Sequence, residues 1–492
     1  MGSGFEPDWR ESYLAGEPLQ IGNDIQLLLD DYMVEDRFGL RRVIGPVEKH
    51  PENPLPMGAP LPGEAGIGLR QVLYDAAEGC YKGWYCAYRH QPGVETGSSH
   101  STLYVQSPDG IAWHQPDLGL FLEAEPRMPN AVLHQETGTC LLEDIILDPD
   151  PVDTARRFTA LVKMVPPGET DRCIVMMHSA DGREFTPAPQ PVLFRGASDG
   201  SYSLVRDPRR DAWLLYRRPP TRALKAEGFY AGVNTKRRVS VSLSRDMQHW
   251  THPRAVALPD ELDVEDVDWV KVTRCGGLFL GVIGLMNNAA DSPRHTHLIW
   301  SRDGFAWERL PDRPQFVPNG APGEWDQGSV SVEAVVPESD HIRIYYIGGN
   351  VAQAETRLPT VRGTGFATIG HDRWVGQQAG PEGGYLLTRQ FILEGDRLEV
   401  NCRSGVKRPP SPEFGGLLRA EVVAEPVEHF PADTYPGYAM EDCDPVAVTD
   451  NPRQVITWNG SPDLSALRGS PVYIRFSLRN ATLYAFRAAM CQ

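Results

Sequence analysis

Acidic side chains stand near the starts of several apolar segments in this sequence. They are Glu64, Glu143, Asp144, Asp199, Asp266, Asp268, Glu324 and Asp326. Carboxyl groups that converge on one site support acid–base chemistry, because a protonated acid donates a proton while an ionised carboxylate attacks or activates water. Cleavage of a glycosidic bond needs such a pair. The competing interpretations are a solvated acidic rim and a calcium site.

Three of these carboxylates form the predicted catalytic set, namely Asp144, Asp199 and Asp268. Each stands at the start of an apolar segment in a different part of the chain. If the segments are the innermost strands of sheets arranged in a ring, their starts meet at one face. Crowded carboxylates repel one another, which raises at least one pKa and keeps a protonated acid available near neutral pH.

A second set of residues near the same segments is predicted to bind the substrate. It comprises Arg70, Glu64, Arg217, Trp269, Trp325 and Asp326. Arg217 opens a long basic and aromatic loop that continues to Arg237, and guanidinium groups bind anionic sugars with two parallel hydrogen bonds. The alternatives are a salt-bridged surface loop and, for the two tryptophans, packing in the core. His295 and His297 lack a third metal ligand, so no metal site is predicted.

A repeated heptad indicates the elements that position these residues. The pattern Ser-x-Asp-Gly followed by an aromatic residue occurs at 107–113, 179–185 and 301–307, and at 244–250 with Met247 in place of glycine. Asp-Gly between two apolar runs is a strong hairpin signal. The copies recur every 57 to 72 residues, and a degenerate fifth copy stands at 368–374. The repeat predicts one small sheet per copy, and the alternative is a sandwich that reuses one hairpin.

The predicted fold class is all-β, with a five-bladed β-propeller at residues 60–380 followed by a C-terminal β-sandwich at 381–492. Residues 1–59 form an N-terminal segment, in which 25–34 are the expected ring-closing strand. The heptad disappears after Gly380, although six further strands are predicted. The heptad turns lie at the face opposite the catalytic set, so their aspartates are predicted to be structural.

Composition narrows the partners and the location. The net charge of −17 argues against a nucleic-acid partner, and no apolar run approaches the ~18 residues of a membrane span. Residues 1–10 have neither a basic start nor an apolar core, so no signal peptide is predicted and a cytoplasmic location is favoured. The eight cysteines include no CxxC pair and are expected to be buried thiols. No cofactor is predicted, a structural or site calcium ion is an alternative, and the oligomeric state stays open.

A five-bladed propeller followed by a β-sandwich resembles the glycoside hydrolases of families 32, 43 and 68, especially family 32. The opening stretch 28–35 (LLDDYMVE) and the closing stretch 441–445 (EDCDP) also resemble uncharacterised bacterial proteins described as family-32-like. The family layout implies that Asp199 is the general acid, Asp144 the transition-state stabiliser and Asp268 the base or nucleophile.

The sequence also departs from family 32. The family carries its nucleophile in an Asn-Asp-Pro-Asn segment on the innermost strand of the first blade, where this chain has Arg70. Arg206-Asp207-Pro208 looks like the family's stabilising motif but follows a strand and is interpreted as a turn. The predicted function is therefore a glycoside hydrolase acting on an oligo- or polysaccharide of unspecified sugar. The alternatives are a non-catalytic glycan-binding propeller and a sugar lyase or other glycan-processing enzyme that uses Arg and His.

Overall fold

The computed structural model describes residues 18–60, 66–90, 98–124, 127–135, 138–197, 202–218, 237–257, 260, 262–263, 266–286, 293–352, 360–405, 415–425 and 433–490. The chain divides into two compact units. One is Val47–Thr368, and the other combines the described parts of Met1–Pro46 and Ile369–Gln492. The first unit thus begins before residue 60 and ends before residue 380, the boundaries predicted from the sequence.

Four short strands come first in the chain: β1 (Gln26–Leu27), β2 (Val34–Phe38), β3 (Leu40–Ile44) and β4 (Glu48–Lys49). Five four-stranded antiparallel sheets then follow, which we number I to V. Sheet I contains β5 (Leu69–Asp75), β6 (Cys80–His90), β7 (Ser98–Ser107) and β8 (Ala131–Leu133). Sheet II contains β9 (Leu141–Leu147), β10 (Phe158–Met164), β11 (Cys173–Ser179) and β12 (Thr186–Arg195).

The remaining three sheets repeat this order of strands. Sheet III contains β13 (Tyr202–Asp207), β14 (Ala212–Arg217), β15 (Val239–Ser244) and β16 (Arg254–Ala257). Sheet IV contains β17 (Asp266–Cys275), β18 (Leu278–Met286), β19 (His295–Ser301) and β20 (Glu308–Arg309). Sheet V contains β21 (Ser329–Pro337), β22 (His341–Gly349) and β23 (Arg362–Gly370), with β4 at its edge.

The first strands of the five sheets contact one another in cyclic order, from β5 through β9, β13, β17 and β21 back to β5. Hydrogen bonds join neighbouring sheets along this cycle. The Leu204 amide donates to Asp144 Oδ2 at 2.6 Å, between sheets II and III. The Leu69 amide donates to Thr364 Oγ1 at 2.9 Å, between sheets I and V. The starts of the five first strands are therefore brought close together.

The strand that completes sheet V comes from the N-terminal side of the chain. Lys49 pairs with Ala367 and Glu48 pairs with Thr368. Residues 25–34 were expected to supply this strand, but β1 within that segment pairs with β33 (Ala481–Ala489) of the other unit. The edge strand of sheet V thus lies further along the chain than expected, because the earlier strands have partners elsewhere.

The heptad turns adopt one hydrogen-bonded structure. In the copy of sheet IV, Ser301 Oγ accepts from the Gly304 amide at 2.8 Å. Asp303 Oδ1 accepts from the amides of Phe305 and Ala306 at 2.7 and 2.8 Å. Gly304 has φ of +79°, a conformation that glycine adopts without a Cβ clash. Met247, at the equivalent position of sheet III, has φ of +59°.

Three of these turns also join neighbouring sheets, because the glycine carbonyl accepts a hydrogen bond from an aromatic side chain of the preceding sheet. The pairs are Tyr345 Oη with Gly110 O at 2.9 Å, Trp84 Nε1 with Gly182 O at 2.9 Å, and Tyr216 Oη with Gly304 O at 2.8 Å. A Cβ atom at Gly304 would lie 2.6 Å from Leu214 Cδ1, so glycine also permits this close approach. The repeated sequence motif is therefore a structural device of the five-sheet unit.

The other unit contains two sheets with a shared core. One combines β1 and β3 with β24 (Val375–Ala379), β27 (Arg397–Ser404), β31 (Thr449–Val455) and β33. The second combines β2 with β25 (Gly384–Thr388), β26 (Phe391–Ile392), β28 (Leu417–Glu425), β29 (Asp433–Thr434), β30 (Val446–Ala447) and β32 (Pro471–Arg479). Buried side chains of both sheets, such as Leu483 and Phe476, form one cluster.

The prediction of an all-β chain is confirmed. The helices assigned within the described residues are short 3₁₀ turns such as Thr154–Arg156 and Ser465–Leu467. Across the same described part of the chain, no helix has the length and apolar character needed to span a membrane.

Candidate active site

Four of the five first strands carry a β-bulge, and the residue without a cross-strand partner is charged each time. These residues are Arg70, Glu143, Asp268 and Glu333. In β21, for example, Val332 pairs with Tyr346 and Ala334 pairs with Tyr345, which leaves Glu333 between them. A bulge re-aims a side chain out of the regular alternation of a strand. The bulges thus place charged groups where the first strands meet.

Glu333 has the environment of a general acid. It is half-buried, and no hydrogen bond to its carboxyl group is found within the described residues. Burial raises its pKa to about 6, although cations around it favour the charged form. In decreasing order of effect these cations are Arg70, Arg362, Lys271 and Arg294. Because the group loses water without gaining hydrogen bonds, it holds a proton at a higher pH than an ordinary glutamate.

Asp268 has the opposite environment, because guanidinium groups contact both of its oxygens. Its Oδ1 accepts from Arg218 Nη2 at 2.8 Å and from Arg237 Nη1, and its Oδ2 accepts from Arg294 Nη2 at 2.8 Å. Arg294 therefore contacts Asp268 directly and also acts electrostatically on Glu333. Three guanidinium groups thus hold both oxygens of Asp268 and fix its orientation.

Asp144 is held within the protein rather than presented to a substrate. It is buried, and its Oδ1 accepts from Lys271 Nζ at 2.6 Å while its Oδ2 accepts from the Leu204 amide. Lys271 also donates to Gln71 Oε1 at 2.9 Å. The arrangement positions the Lys271 ammonium group beside Glu333, so the effect of Asp144 on the site is indirect.

Glu143 shows that a charged bulge residue does not have to face the centre. Its carboxylate lies 2.5 Å from Lys163 Nζ, and both side chains are buried. We therefore define the central charged cluster without this pair. It consists of Arg70, Asp144, Arg218, Arg237, Asp268, Lys271, Arg294, Glu333 and Arg362.

Two of the predicted substrate ligands pack inside the protein, and these two assignments are corrected. Arg217 is buried with its guanidinium group 4.0 Å from the ring centroid of Phe194, and burial lowers its pKa. Trp269 is buried against Gly284, where a Cβ atom would lie 1.9 Å from the indole nitrogen. Because the indole ring is covered, it is not available to stack on a sugar.

Trp325 and Asp326 both lie in the loop that precedes sheet V. Asp326 is buried, and its Oδ2 accepts from Lys49 Nζ at 2.6 Å and from Tyr346 Oη at 2.9 Å. It therefore links β4 to β22 within sheet V instead of contacting a substrate, which corrects its assignment. Trp325 is half-buried and stacks on Tyr346 with ring centroids 5.8 Å apart.

The remaining predicted site residues divide into one that the structure places and two that it does not. Arg70 lies in the central charged cluster, where its charge acts on Glu333. Asp199 and Glu64 lie outside the described residues, as does 219–236, most of the loop after Arg217. Their predicted roles stay predictions.

Sequence reasoning missed four members of the cluster: Lys271, Arg294, Glu333 and Arg362. One signal was present at Glu333, a carboxyl group between the apolar residues Val332 and Ala334 in a predicted strand. A carboxyl group inside such a segment is costly to bury, so it marks a functional candidate. Lys271 interrupts the strand segment of sheet IV in the same way.

A potential cation-binding group lies at the opposite end of β21. Ligand atoms of Glu338, Asp340 and His341 fall within 4.8 Å of one another. However, Arg343 Nε lies 2.8 Å from Glu338 Oε1 and already supplies a positive charge. This group is separate from the central charged cluster and gives no support to the alternative of a calcium ion.

Comparison with known proteins gives matches at the level of structure only. No protein-family profile matches the chain, and no curated protein sequence matches it significantly. An N-acetylgalactosamine deacetylase from F. plautii, in complex with blood group B trisaccharide, is 14% identical and has a TM-score of 0.41, over 68% of this chain and 97% of that one.

Two further solved structures are similar to the same degree. A putative glycoside hydrolase from Bacteroides ovatus is 14% identical with a TM-score of 0.44, over 68% of this chain and 98% of that one. The alpha-L-arabinofuranosidase PaAbf62A from Podospora anserina, in complex with cellotriose, is 11% identical with a TM-score of 0.42, over 66% and 96%. Similarity this low carries no argument about reaction or substrate. The resemblance to families 32, 43 and 68 therefore stays a prediction.

Proposed function

We propose that this protein is a glycoside hydrolase in which Glu333 is the general acid. The proposal includes a five-bladed propeller made of sheets I to V and a β-sandwich made of the other unit. The observation that carries it is Glu333 itself, a carboxyl group without a hydrogen bond in the described structure, with a pKa of about 6, where the first strands meet. Such a group donates a proton to the glycosidic oxygen as the bond to the leaving group breaks.

Asp268 is the second carboxylate in this proposal. Its three guanidinium partners occupy both of its oxygens and fix its orientation. It therefore acts on the developing positive charge of the sugar ring, as stabiliser or nucleophile, rather than as a strong base. Asp144 and Lys271 position the neighbouring groups. Asp199 is retained as the alternative acid.

The test is hydrolysis of a glycan library by the wild-type protein, Glu333→Gln, Asp199→Asn and the control Asp303→Asn, with analysis of the products. We expect saturated reducing sugars from the wild type and from the control, and almost none from Glu333→Gln. Full activity of Glu333→Gln would exclude its role, and loss of activity in Asp199→Asn alone would transfer the role to Asp199. Unsaturated sugar products would identify a lyase instead.

A second candidate function is binding of a glycan without cleavage. It is favoured by the saturation of Asp268 with three guanidinium groups, which leaves this carboxylate little freedom to react. The same library separates the two functions when binding is recorded alongside hydrolysis. Tight binding by the wild-type protein without any turnover over long incubation would establish the binding protein.

A further inference from the structure

The central charged cluster carries an excess of positive charge. It contains six cations, namely Arg70, Arg218, Arg237, Lys271, Arg294 and Arg362, and three carboxyl groups, namely Asp144, Asp268 and Glu333. The whole chain has the opposite balance, with a net charge of −17. A local excess of positive charge in an acidic protein favours binding of an anionic ligand, because the electrostatic field at the cluster attracts anions.

Arg362 is the cation of this cluster whose charge has no counterpart in direct contact. Within the described residues, no side chain forms a hydrogen bond or an ion pair with its guanidinium group. It stands at the start of β23 and is half-buried. Its charge acts on Glu333 and on Arg294, so it lies near both the candidate acid and the arginine that holds Asp268.

Arg294 adds a second donor beside it. Arg294 Nη1 donates to Ser331 Oγ at 3.2 Å, and Nη2 donates to Asp268. Burial lowers the pKa of Arg294, the charges of Asp268 and Glu333 oppose this effect, and the charges of Arg362 and Arg237 add to it. Like charges held together in a buried site repel, so a bound anion stabilises this arrangement of guanidinium groups.

We propose that the sugar bound beside Glu333 carries an oxyanion, either a carboxylate or a sulfate group, and that Arg362 is its principal ligand. This inference rests on the proposed function for the position of the sugar. Both groups match the fork of donors on a guanidinium group. A bound anion would also repel the ionised form of Glu333, so it keeps the acid protonated and its binding is accompanied by proton uptake.

The experiment is titration calorimetry of the wild-type protein with sugars that differ only at C6. The pairs are D-galacturonate with D-galactose and D-glucuronate with D-glucose, and the 6-sulfates of both hexoses form the third arm. We expect the anionic members to bind about 10- to 100-fold more tightly, as for hydrogen bonds to charged groups. Binding should weaken at high salt and above pH 6. A difference in affinity between the uronates and the 6-sulfates would show whether the site prefers a carboxylate or a sulfate group.

Two variants assign the effect to Arg362. Arg362→Gln should abolish the preference for the anionic sugars, and Arg362→Lys should keep part of it, because it retains the charge but loses the fork. Arg254→Gln, on the exposed strand β16, is the matched control and should behave as the wild type. Equal affinity for anionic and neutral sugars, or an unchanged preference in folded Arg362→Gln, would overturn the inference.

The outcomes also separate this inference from the proposed function. Hydrolysis restricted to neutral glycosides would support the proposed function and refute the anionic substrate. Anion-selective binding through Arg362 without hydrolysis of any uronide or sulfated glycoside would support the anion site and refute the hydrolase. Absence of binding by every sugar in the calorimeter would count against the anion site alone, because the glycan library tests the hydrolase independently.

Discussion

The pKa of a carboxyl group is shifted in opposite directions at the two ends of sheets I to V. At the turn end, Asp303 is partly buried, which raises its pKa, but the amides of Ala306 and Phe305 and the hydroxyl of Ser301 outweigh burial and the pKa falls below its usual value. At the bulge end, Glu333 has no such donors in the described structure, and burial raises its pKa to about 6. Local backbone donors, rather than burial alone, decide which acid is structural and which is available for proton transfer.

The largest expected effect is the loss of turnover in Glu333→Gln. An amide cannot donate the proton that the leaving group needs, so kcat should fall by about 100- to 10,000-fold. The melting temperature should hold or rise, because a buried charge is removed. Steady-state kinetics with a substrate from the glycan library, together with a thermal melt, measure both. A fall in kcat of less than threefold would show that Glu333 is not the proton donor.

The pH dependence of the reaction gives the next effect. Because the protonated form of Glu333 is the active one, kcat/KM should fall about tenfold for each pH unit above roughly 6. A pH profile over the range in which the protein stays folded measures this limb. An activity that stays constant up to pH 8 would show that another group supplies the proton.

Substitutions at the turn end should change the free energy of unfolding. Gly304→Ala introduces a Cβ atom at φ of +79° and 2.6 Å from Leu214 Cδ1, so the free energy of unfolding should fall by about 2–4 kcal/mol. Gly79→Ala is the matched control, since Gly79 has φ of +66° but no atom within 4 Å of the added Cβ. We expect a loss of about 1 kcal/mol there. Equal losses in chemical denaturation would mean that the contact between sheets contributes nothing.

The smallest effect is expected for Asp303→Ala and Asp109→Ala. Each removes turn hydrogen bonds to backbone amides and should cost about 0.5–2 kcal/mol of stability. The cost should shrink as the pH falls through the lowered pKa of the aspartate, because protonation weakens the same bonds in the wild type. Turnover per folded molecule should not change. Lost turnover in a fully folded variant would place the reactive end at the turns.

The sequence predicts the all-β architecture and the turns well because both depend on local rules. Ser, Asp and Gly at fixed spacing specify one turn, and the structure contains it at residues 107, 179 and 301. The site is predicted less well. Asp144 and Asp268 lie in the central charged cluster, but the sequence does not reveal that Lys271 and three arginines hold them.

Glu333 was overlooked for a specific physical reason. Its segment alternates as an ordinary strand, and the bulge that re-aims its side chain is defined by pairing with Tyr345 and Tyr346 on β22. Such a shift in register depends on a partner strand and has no local signature. The same holds for Arg294 and Arg362, which reach the cluster from the starts of strands other than the first.

The pairing of β4 with β23 has a consequence for the order of synthesis. Lys49 leaves the ribosome long before its partner Ala367, so sheet V stays incomplete until most of the chain has been translated. The other unit is completed even later in translation, because Leu27 pairs with Ala485. Both pairings join distant parts of the chain, and contacts of this kind slow folding. The N-terminal strands therefore remain unsatisfied edges during translation, and protection of those edges is part of what the nascent chain requires.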